Sequence, residues 1–384
     1  MNIINVRLNN FRNIKYLEIA LSPGINLFYG MNGQGKTNIL ESVEILSTTK
    51  SEKASKEIEL INHDADFGSV SGKFYKNNLD FEIDILLSRQ KRKTCVKNGK
   101  NTTPDSVFGS VNIVKFFPDD IEIIKGGPQS RRRYMDMEIS LIDRVYYNNY
   151  KNYIKIIETR NQLLKKASDS FYSQNSSDYK KIMTMIESYD ELLPPIAYMI
   201  YSNRVKFLNE IYPIANKMHR LISADAEDIE IKYNDSANEN ISEFIELSQT
   251  EYMDRLIFLL KNNLKNDIIK GHTGAGPHKD DITFLINKNS AKLYGSTGQV
   301  KTLAISLKLA QIEYIYKKLN DYPVLLIDDL TSEFDRERLF NIISNISDKI
   351  QAMVTCTNHN IFMEAGGGLD IRYFKVKNGG IEEN

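Results

Sequence analysis

The sequence predicts an α/β fold built around a P-loop, with a helical segment inserted into it. Three observations carry that expectation. A glycine-rich loop at Gly30–Thr37 stands between an apolar run and an amphipathic run. Strand-like and helix-like patterns give way to long helical ones from about Glu138 and return after Lys270. An apolar run, Val324–Ile327, ends in two acids, Asp328 and Asp329. The expected division is a discontinuous lobe of residues 1–137 and 271–384 and a helical arm of residues 138–270.

The elements follow in order. "IINVRLNNF" and "IKYLEIAL" alternate as half-buried strands do, and "INLFY" is a buried run leading into the loop. In "KTNILESVEILS", Ile39, Val43 and Ile45–Leu46 recur at helical spacing. "GSVSGKFY" and "LDFEIDILLS" alternate again, and Asn98-Gly99 marks a hairpin turn. In the arm, Tyr146, Tyr150, Tyr153 and Ile157 share one helix face, which reads as packing. The arm's next helix, Tyr179–Leu193, is expected to stop at Pro194-Pro195, with a third over Ala197–Ile222. A polar break at Ser168–Asp178 reads as a flexible tip. Beyond the arm come a strand in "DDITFLIN", a helix over Gly298–Leu319, a buried strand at Tyr322–Asp329 and a last core strand in "QAMVTCTNHN".

The loop has the chemistry of a triphosphate cradle. Gly30, four residues and then Gly35-Lys36-Thr37 match G-x-x-x-x-G-K-[ST]. Backbone N–H groups of Gly30, Met31, Asn32, Gly33, Gln34 and Gly35 can close around phosphate oxygens, because glycine lets the backbone approach. Lys36 would reach the β- and γ-phosphates of ATP, and Thr37 would place a hydroxyl on Mg²⁺. Asp328 would hold Mg²⁺ through water, and Asp329 would orient or deprotonate the attacking water. Ser296 before the helix of Gly298–Leu319 reads either as an ordinary N-cap or, with Gly298 and Gln299, as a phosphate-facing turn.

Composition narrows the class. The chain has 384 residues, 41% of them hydrophobic, with 50 basic and 50 acidic side chains. A zero net charge confines any nucleic-acid surface to local patches. The candidates are Arg131, Arg132 and Arg133, and Arg89, Lys91, Arg92 and Lys93; each group can equally be a solvated face. Two cysteines, Cys95 and Cys356, make no disulfide framework and suit a reducing cytosol. No apolar run is long enough to span a bilayer, so a cytoplasmic protein without membrane contact is expected. His278 with Asp280 is too small a set for a metal site, and His359 reads as a γ-phosphate sensor or a plain loop residue.

Several stretches together resemble one family. They are "FRN" at Phe11–Asn13, "FPDDIEIIKGGPQSRRRYMD" at Phe117–Asp136, "RNQLLK" at Arg160–Lys165, "GPHKDD" at Gly276–Asp281 and "DDLTSEFD" at Asp328–Asp335. Their order is similar to that in the ABC-type ATPases of the SMC-related group, and within it to the RecF family of bacterial recombination-repair proteins. The sequence departs from the family at Thr297 and Val300, where glutamines are usual, and at Lys301, where arginine is usual. The arm is also too short for an SMC coiled coil.

The resemblance implies an ABC-type head with a short helical arm. It implies an ATP-driven homodimer in which the P-loop of one copy faces Ser296, Gly298 and Gln299 of the other. It further implies weak, DNA-dependent ATP hydrolysis and binding to single-stranded and gapped double-stranded DNA. Cooperation with RecO and RecR in loading RecA onto strands coated by single-strand-binding protein follows, in recombinational repair, replication restart and the SOS response. Three other classes compete: a transporter's ATP-binding subunit, an SMC-like structural clamp that uses ATP as a staple, and a related nuclease. The arm argues against the first; Asp329 in place of the more general glutamate keeps the second open. The short tail after Asn360 is expected to leave no room for the third's extra domain.

Overall fold

A computed structural model describes residues 1–170, 177–236, 247–329, 350–359 and 370–382. Residues 330–335 of the quoted "DDLTSEFD" lie outside the described residues, as does most of the polar break. The chain forms two compact units, Met1–Asp120 with Gln311–Asn384, and Ile121–Ala310.

The first unit holds two sheets around one helix. β1 (Asn2–Phe11), β2 (Ile14–Ala20), β4 (Phe67–Lys76), β5 (Leu79–Ser88), β6 (Thr94–Lys97) and β7 (Lys100–Thr102) form an antiparallel sheet in the order β2-β1-β4-β5-β6-β7. Asn98 and Gly99, both at positive φ, make the tight turn that the sequence predicts between β6 and β7. The second sheet has the order β15-β14-β3-β13-β12-β8. Its strands are β3 (Ile25–Tyr29), β8 (Ile113–Phe116), β12 (Val324–Ile327), β13 (Ala352–Cys356), β14 (Ile371–Lys377) and β15 (Gly380–Glu382). Pairing is parallel from β14 through β8, and β14–β15 is an antiparallel hairpin. Helix α1 (Lys36–Thr48) carries Ile39, Leu40, Val43 and Leu46 into a single apolar cluster with Val6, Leu8 and Phe74 of one sheet and Phe28, Leu326 and Met353 of the other. β14 corrects the sequence expectation: the last core strand is not Ala352–Cys356. Ile371–Lys377 pairs directly with β3, and only Phe374 and Val376 of it are buried, which weakens its strand pattern.

The second unit opens with α3 (Glu122–Lys125) and α4 (Pro128–Ile142), after the short α2 (Pro104–Val107) of the first. Three long helices follow: α5 (Arg144–Asp169), α6 (Ser177–Ser223) and α7 (Gln249–Lys270). A small antiparallel sheet, β11-β10-β9, consists of β9 (Ile229–Asn234), β10 (Asp281–Ile286) and β11 (Asn289–Ser290). α8 (Ala291–Tyr294) and the start of α9 (Thr297–Leu319) complete it. Asp143 caps α5 by accepting from the N–H groups of Val145 and Tyr146, and Ser248 with Glu251 forms a capping box on α7. No described helix is long and apolar enough to cross a membrane.

Pro194-Pro195 does not end a helix. α6 runs through both, and through Pro213, because Ile186, Leu193, Ala197, Ile200 and Tyr201 are buried on either side of the pair. Packing of that face offsets the N–H groups the prolines lack. The unit also reaches beyond the 138–270 arm at both ends. Arg131 of α4 pairs with Asp281 of β10, at 2.6 and 2.9 Å, and Asp136 of α4 pairs with Arg204 of α6, at 2.8 and 2.9 Å.

Buried charge holds these helices in register. Arg160 of α5, fully buried, donates to Asp190 of α6 (2.6 Å) and to Asp267 of α7 (3.0 Å). Arg204, 1% exposed, also donates to the Pro277 carbonyl at 2.6 Å. Removing one partner of such a pair leaves an uncompensated buried charge. Arg204→Ala should therefore cost about 3–5 kcal/mol in urea unfolding, through the stranded Asp136 carboxylate. A loss under about 1 kcal/mol, the worth of an exposed pair, would contradict this role.

Candidate functional site: the phosphate loop and its partners

The loop between β3 and α1 is closed by backbone geometry. Gly30 and Gly35 have φ of 151° and 107°. A Cβ on Gly30 would stand 2.4 Å from the Val376 carbonyl oxygen, and one on Gly35 would stand 2.9 Å from Asn13 Oδ1. Both positions demand glycine for that reason. No side chain caps α1, whose N-cap is Gly35, so its first-turn N–H groups face the loop's concavity uncapped. Met31 is 79% exposed, at the loop's outer edge, with Asn32 and Gly33 also exposed.

Two hairpins brace the loop. From the β14–β15 turn, the Asn378 N–H donates to Gln34 Oε1 (2.7 Å) and the Gly379 N–H to the Gln34 carbonyl (2.9 Å). At the β1–β2 turn, Asn13 Oδ1 accepts from Asn38 Nδ2 at 2.8 Å, and Arg12 pairs through two nitrogens with the buried Glu41 of α1, at 3.0 and 2.6 Å.

Lys36, Thr37 and Asp328 come together as the sequence predicts. The Lys36 ammonium folds back onto the Gly30 and Met31 carbonyls, at 2.6 and 2.8 Å. Burial holds its pKa below the ordinary lysine value, opposed by the nearby Asp329 and Asp328. The Thr37 hydroxyl donates to Asp328 Oδ1 at 2.8 Å. Thr355, on β13, donates to the same oxygen at 2.8 Å and accepts from the Asp329 N–H at 2.8 Å. Asp329 is held at φ 49°, in the left-handed region. The other oxygen of Asp328 faces Lys53 Nζ at 3.3 Å, and that ammonium lies 4.9 Å above the Phe117 ring.

A hydroxyl and a carboxylate in contact are the few hard oxygen donors that Mg²⁺ takes from a protein when phosphate and water supply the rest. Lys53 shows that the free face of Asp328 accepts a cation. Thr37 and Asp328 thus fit the metal, while no described cluster of three His, Cys, Asp or Glu could hold one unaided.

Ser296 is the N-cap of α9, and the turn is a capping box. The Gln299 N–H donates to Ser296 Oγ (3.2 Å), and the Ser296 N–H donates to Gln299 Oε1 (2.9 Å). Ser296, Thr297 and Gly298 are exposed, while Val300 points into the core. The departure from glutamine at 300 therefore alters packing under the turn.

The two basic groups divide. Arg131 is only 4% exposed, and Asp281 and the Gly126 carbonyl take its guanidinium, so it is corrected from a DNA candidate to a buried tie. Arg132 donates to the Asp280 carbonyl at 2.6 Å, and Arg133 is exposed. Arg89 is tied to the Ala65 and Asn62 carbonyls, and Lys93 to the Thr49 carbonyl and Glu57. Lys91 and Arg92 are exposed.

His278 sits inside the second unit. Its Nε2 is 3.0 Å from the Thr273 carbonyl, which can only accept, so Nδ1 accepts from the Tyr153 hydroxyl at 2.6 Å. His359 packs against Tyr29 with the rings tilted by 38° and their centroids 4.3 Å apart. Lys53, Thr355, Asn13 and Asn378 escaped assignment from sequence. Asn13, inside "FRN", and Thr355, inside "QAMVTCTNHN", lay within quoted stretches.

The chain is similar to known proteins over nearly its whole length. Residues 2–380 match the family model described as the RecF/RecN/SMC N terminal domain. The DNA replication and repair protein RecF of Lachnospira eligens is 36% identical over 384 residues, covering 99% of each chain. That of Bacillus thuringiensis is 35% identical over 358 residues, covering 93% of this chain and 92% of the relative. A solved structure of the recombination mediator protein RecF-ATPrS in the RecFOR pathway superposes with a TM-score of 0.87 at 30% identity, covering 99% of this chain and 97% of that one. A Smc head domain from Pyrococcus furiosus shares the fold, with a TM-score of 0.56 at 17% identity, covering 99% of this chain and 95% of that one. Fold and loop together define an ABC-type ATPase head of the RecF/RecN/SMC class. Within that class, the chain belongs to the RecF family of DNA replication and repair proteins.

Burial pushes the His278 pKa down to about 4. An unfolded histidine titrates near 6.5, so between those values the unfolded chain binds the extra proton. The stability that neutral His278 contributes is complete above pH 6.5 and is lost as pH falls toward 4. Urea unfolding at pH 7 and pH 5 should show the gap between wild type and His278→Gln narrowing at pH 5, by up to about 2 kcal/mol. A gap independent of pH would contradict the half-buried neutral imidazole.

Proposed function

We propose that the chain binds Mg²⁺–ATP in the Gly30–Thr37 loop and hydrolyses it slowly, using the nucleotide to pair two copies on DNA. The single observation that carries this is the Thr37–Asp328 hydrogen bond, which joins the loop to the acid at the end of β12. Thr37 and Asp328 would hold the metal, which would neutralise phosphate charge when bound. Lys36, released from the Gly30 and Met31 carbonyls, supplies the loop's cation to the phosphates. Asp329 orients the attacking water; its anchored N–H and left-handed backbone fix where its carboxylate starts.

Pairing uses Ser296, Gly298 and Gln299 of one copy against the nucleotide of the other. A Cβ on Gly298 would meet no atom closer than Ser296 Oγ at 4.0 Å, so this chain's own packing does not require glycine there. A phosphate arriving at the exposed first turn of α9 would. In this reading ATP closes the dimer and hydrolysis opens it.

The rest is drawn from the relatives, whose names give DNA replication and repair and whose structures belong to the RecFOR pathway. The dimer binds single-stranded and gapped DNA, which stimulates its weak ATPase activity, and works with RecO and RecR to load RecA in the cytoplasm. Lys91, Arg92 and Arg133 are exposed cationic positions from the sequence's basic groups; Arg89 is exposed too, but its guanidinium is tied to the Ala65 and Asn62 carbonyls. The lobe of 1–137 and 271–384 houses the nucleotide chemistry, and the 138–270 arm serves the DNA or its partners.

Two substitutions separate the steps. Lys36→Ala should abolish ATP binding in a calorimetric titration, whereas Asp329→Asn should bind ATP normally and hydrolyse it at least about 100-fold more slowly. Micromolar binding by the first, or wild-type turnover by the second, would overturn the assignments.

Ser296→Arg should bind ATP as a monomer with near-normal affinity and fail to dimerise, as read by light scattering with ATP–Mg²⁺. The added cation would block the facing surface while leaving the mutant's own loop intact. Dimerisation of this variant with ATP, or loss of its monomeric ATP binding, would contradict the pairing.

A further inference from the structure

The Gln299 amide is used at both ends, and one end leads into the arm. Its oxygen accepts from the Ser296 N–H (2.9 Å), and its Nε2 donates to Glu227 Oε1 at 2.8 Å. Glu227 Oε2 lies 3.1 Å from Nε2 of His219, a fully buried residue near the C-terminal end of α6. His219 Nδ1 faces Ser306 Oγ of α9 at 3.3 Å, and that hydroxyl donates to the Thr302 carbonyl at 2.7 Å. The chain of contacts runs from the exposed turn of α9, through Glu227, to the long arm helix, and back into α9 two turns further on. All of it lies within the second unit.

A carboxylate only accepts, whereas a side-chain amide can rotate and exchange its donor and acceptor ends. Glu227 therefore fixes which way Gln299 points. With Nε2 committed to Glu227, the amide oxygen must face the Ser296 N–H, and the capping box forms. Glu227 is itself tied down locally. The Asp228 N–H donates to Asn287 Oδ1 (2.9 Å), and the Asp228 side chain accepts from Arg220 of α6 (2.6 Å).

We propose that Glu227 is a positioning residue for the Ser296–Gln299 turn. It acts through Gln299, and His219 fastens it to α6, so the arm helix sets the geometry of the turn. The proposal rests on the ATP-driven pairing described above for its functional consequence, but its structural core can be measured in the monomer. Glu227 touches neither nucleotide nor metal in this scheme. Its effect passes entirely through the amide it orients, and a displacement of α6 would reach the nucleotide-facing turn by the same route.

The test is a double-mutant cycle on the full chain with Glu227→Ala, Gln299→Ala, the double variant and Glu227→Gln. Two readouts are taken: amide hydrogen exchange of residues 296–300 without nucleotide, and dimerisation driven by ATPγS–Mg²⁺. Glu227→Ala should speed exchange at the Ser296 and Gln299 amides on the order of tenfold, and weaken dimerisation by a similar factor. ATP affinity of the monomer should be unchanged. The double variant should be no worse than Gln299→Ala. Glu227→Gln should recover most of the protection, since its amide oxygen can still face Gln299 while His219 moves its ring proton to Nδ1.

Additive losses in the double variant would show that Glu227 acts independently of Gln299 and would overturn the proposal. Wild-type exchange rates in Glu227→Ala would do the same. If the wild-type protein fails to dimerise with ATPγS, the pairing fails, while the exchange data still decide the placement of Glu227.

Discussion

The architecture of the nucleotide site depends on one carboxylate oxygen. Asp328 Oδ1 accepts from Thr37 of the phosphate loop and Thr355 of β13, both at 2.8 Å, on a residue that is 6% exposed. A buried carboxylate needs such donors to remain charged and in place. The parallel register delivers them. Ile327 pairs with Val354, one residue before Thr355, and Cys356 pairs with Tyr29, one residue before Gly30. The loop, the threonine and the acid therefore emerge at the same edge, the carboxyl ends of the strands, where open α/β sheets place their ligands. Moving β12 by one residue against β13 would turn Asp328 to the other face of the sheet.

Much of this was legible because the relevant signals are local. The glycine spacing and Lys36-Thr37 required no tertiary knowledge, and four apolar residues before two acids marked a buried strand end. The losses came where distant packing outweighs local preference. Two prolines at 194–195 should stop an isolated helix, yet flanking residues buried against α5 and α7 carry α6 through. β14 reads weakly by itself because few of its side chains are buried, but β3 supplies its hydrogen bonds. Arg131 looked like one of three equivalent cations, and only the fold shows that Asp281 holds it. Lys53 sits in a polar stretch with no motif, 275 residues from the aspartate it faces.

The second unit pairs an exposed turn with a rigid frame. Arg160 and Arg204 lock α4, α5, α6 and α7 through buried ion pairs, and buried pairs of this kind fix geometry more than they add stability. The Ser296–Gln299 turn lies at the exposed edge of that frame and is held by hydrogen bonds rather than by core packing. A turn so held keeps its backbone N–H groups aimed while leaving its surface open to a second molecule.

The most direct measurement concerns the carboxylate of Asp328, proposed above to hold Mg²⁺. ATP would be titrated into wild-type protein and Asp328→Asn, each with and without Mg²⁺, by calorimetry. The expected result is that Mg²⁺ tightens ATP binding to the wild type, and that Asp328→Asn loses this gain while keeping its metal-free affinity. An equal gain from Mg²⁺ in both proteins would contradict the central role given to this carboxylate.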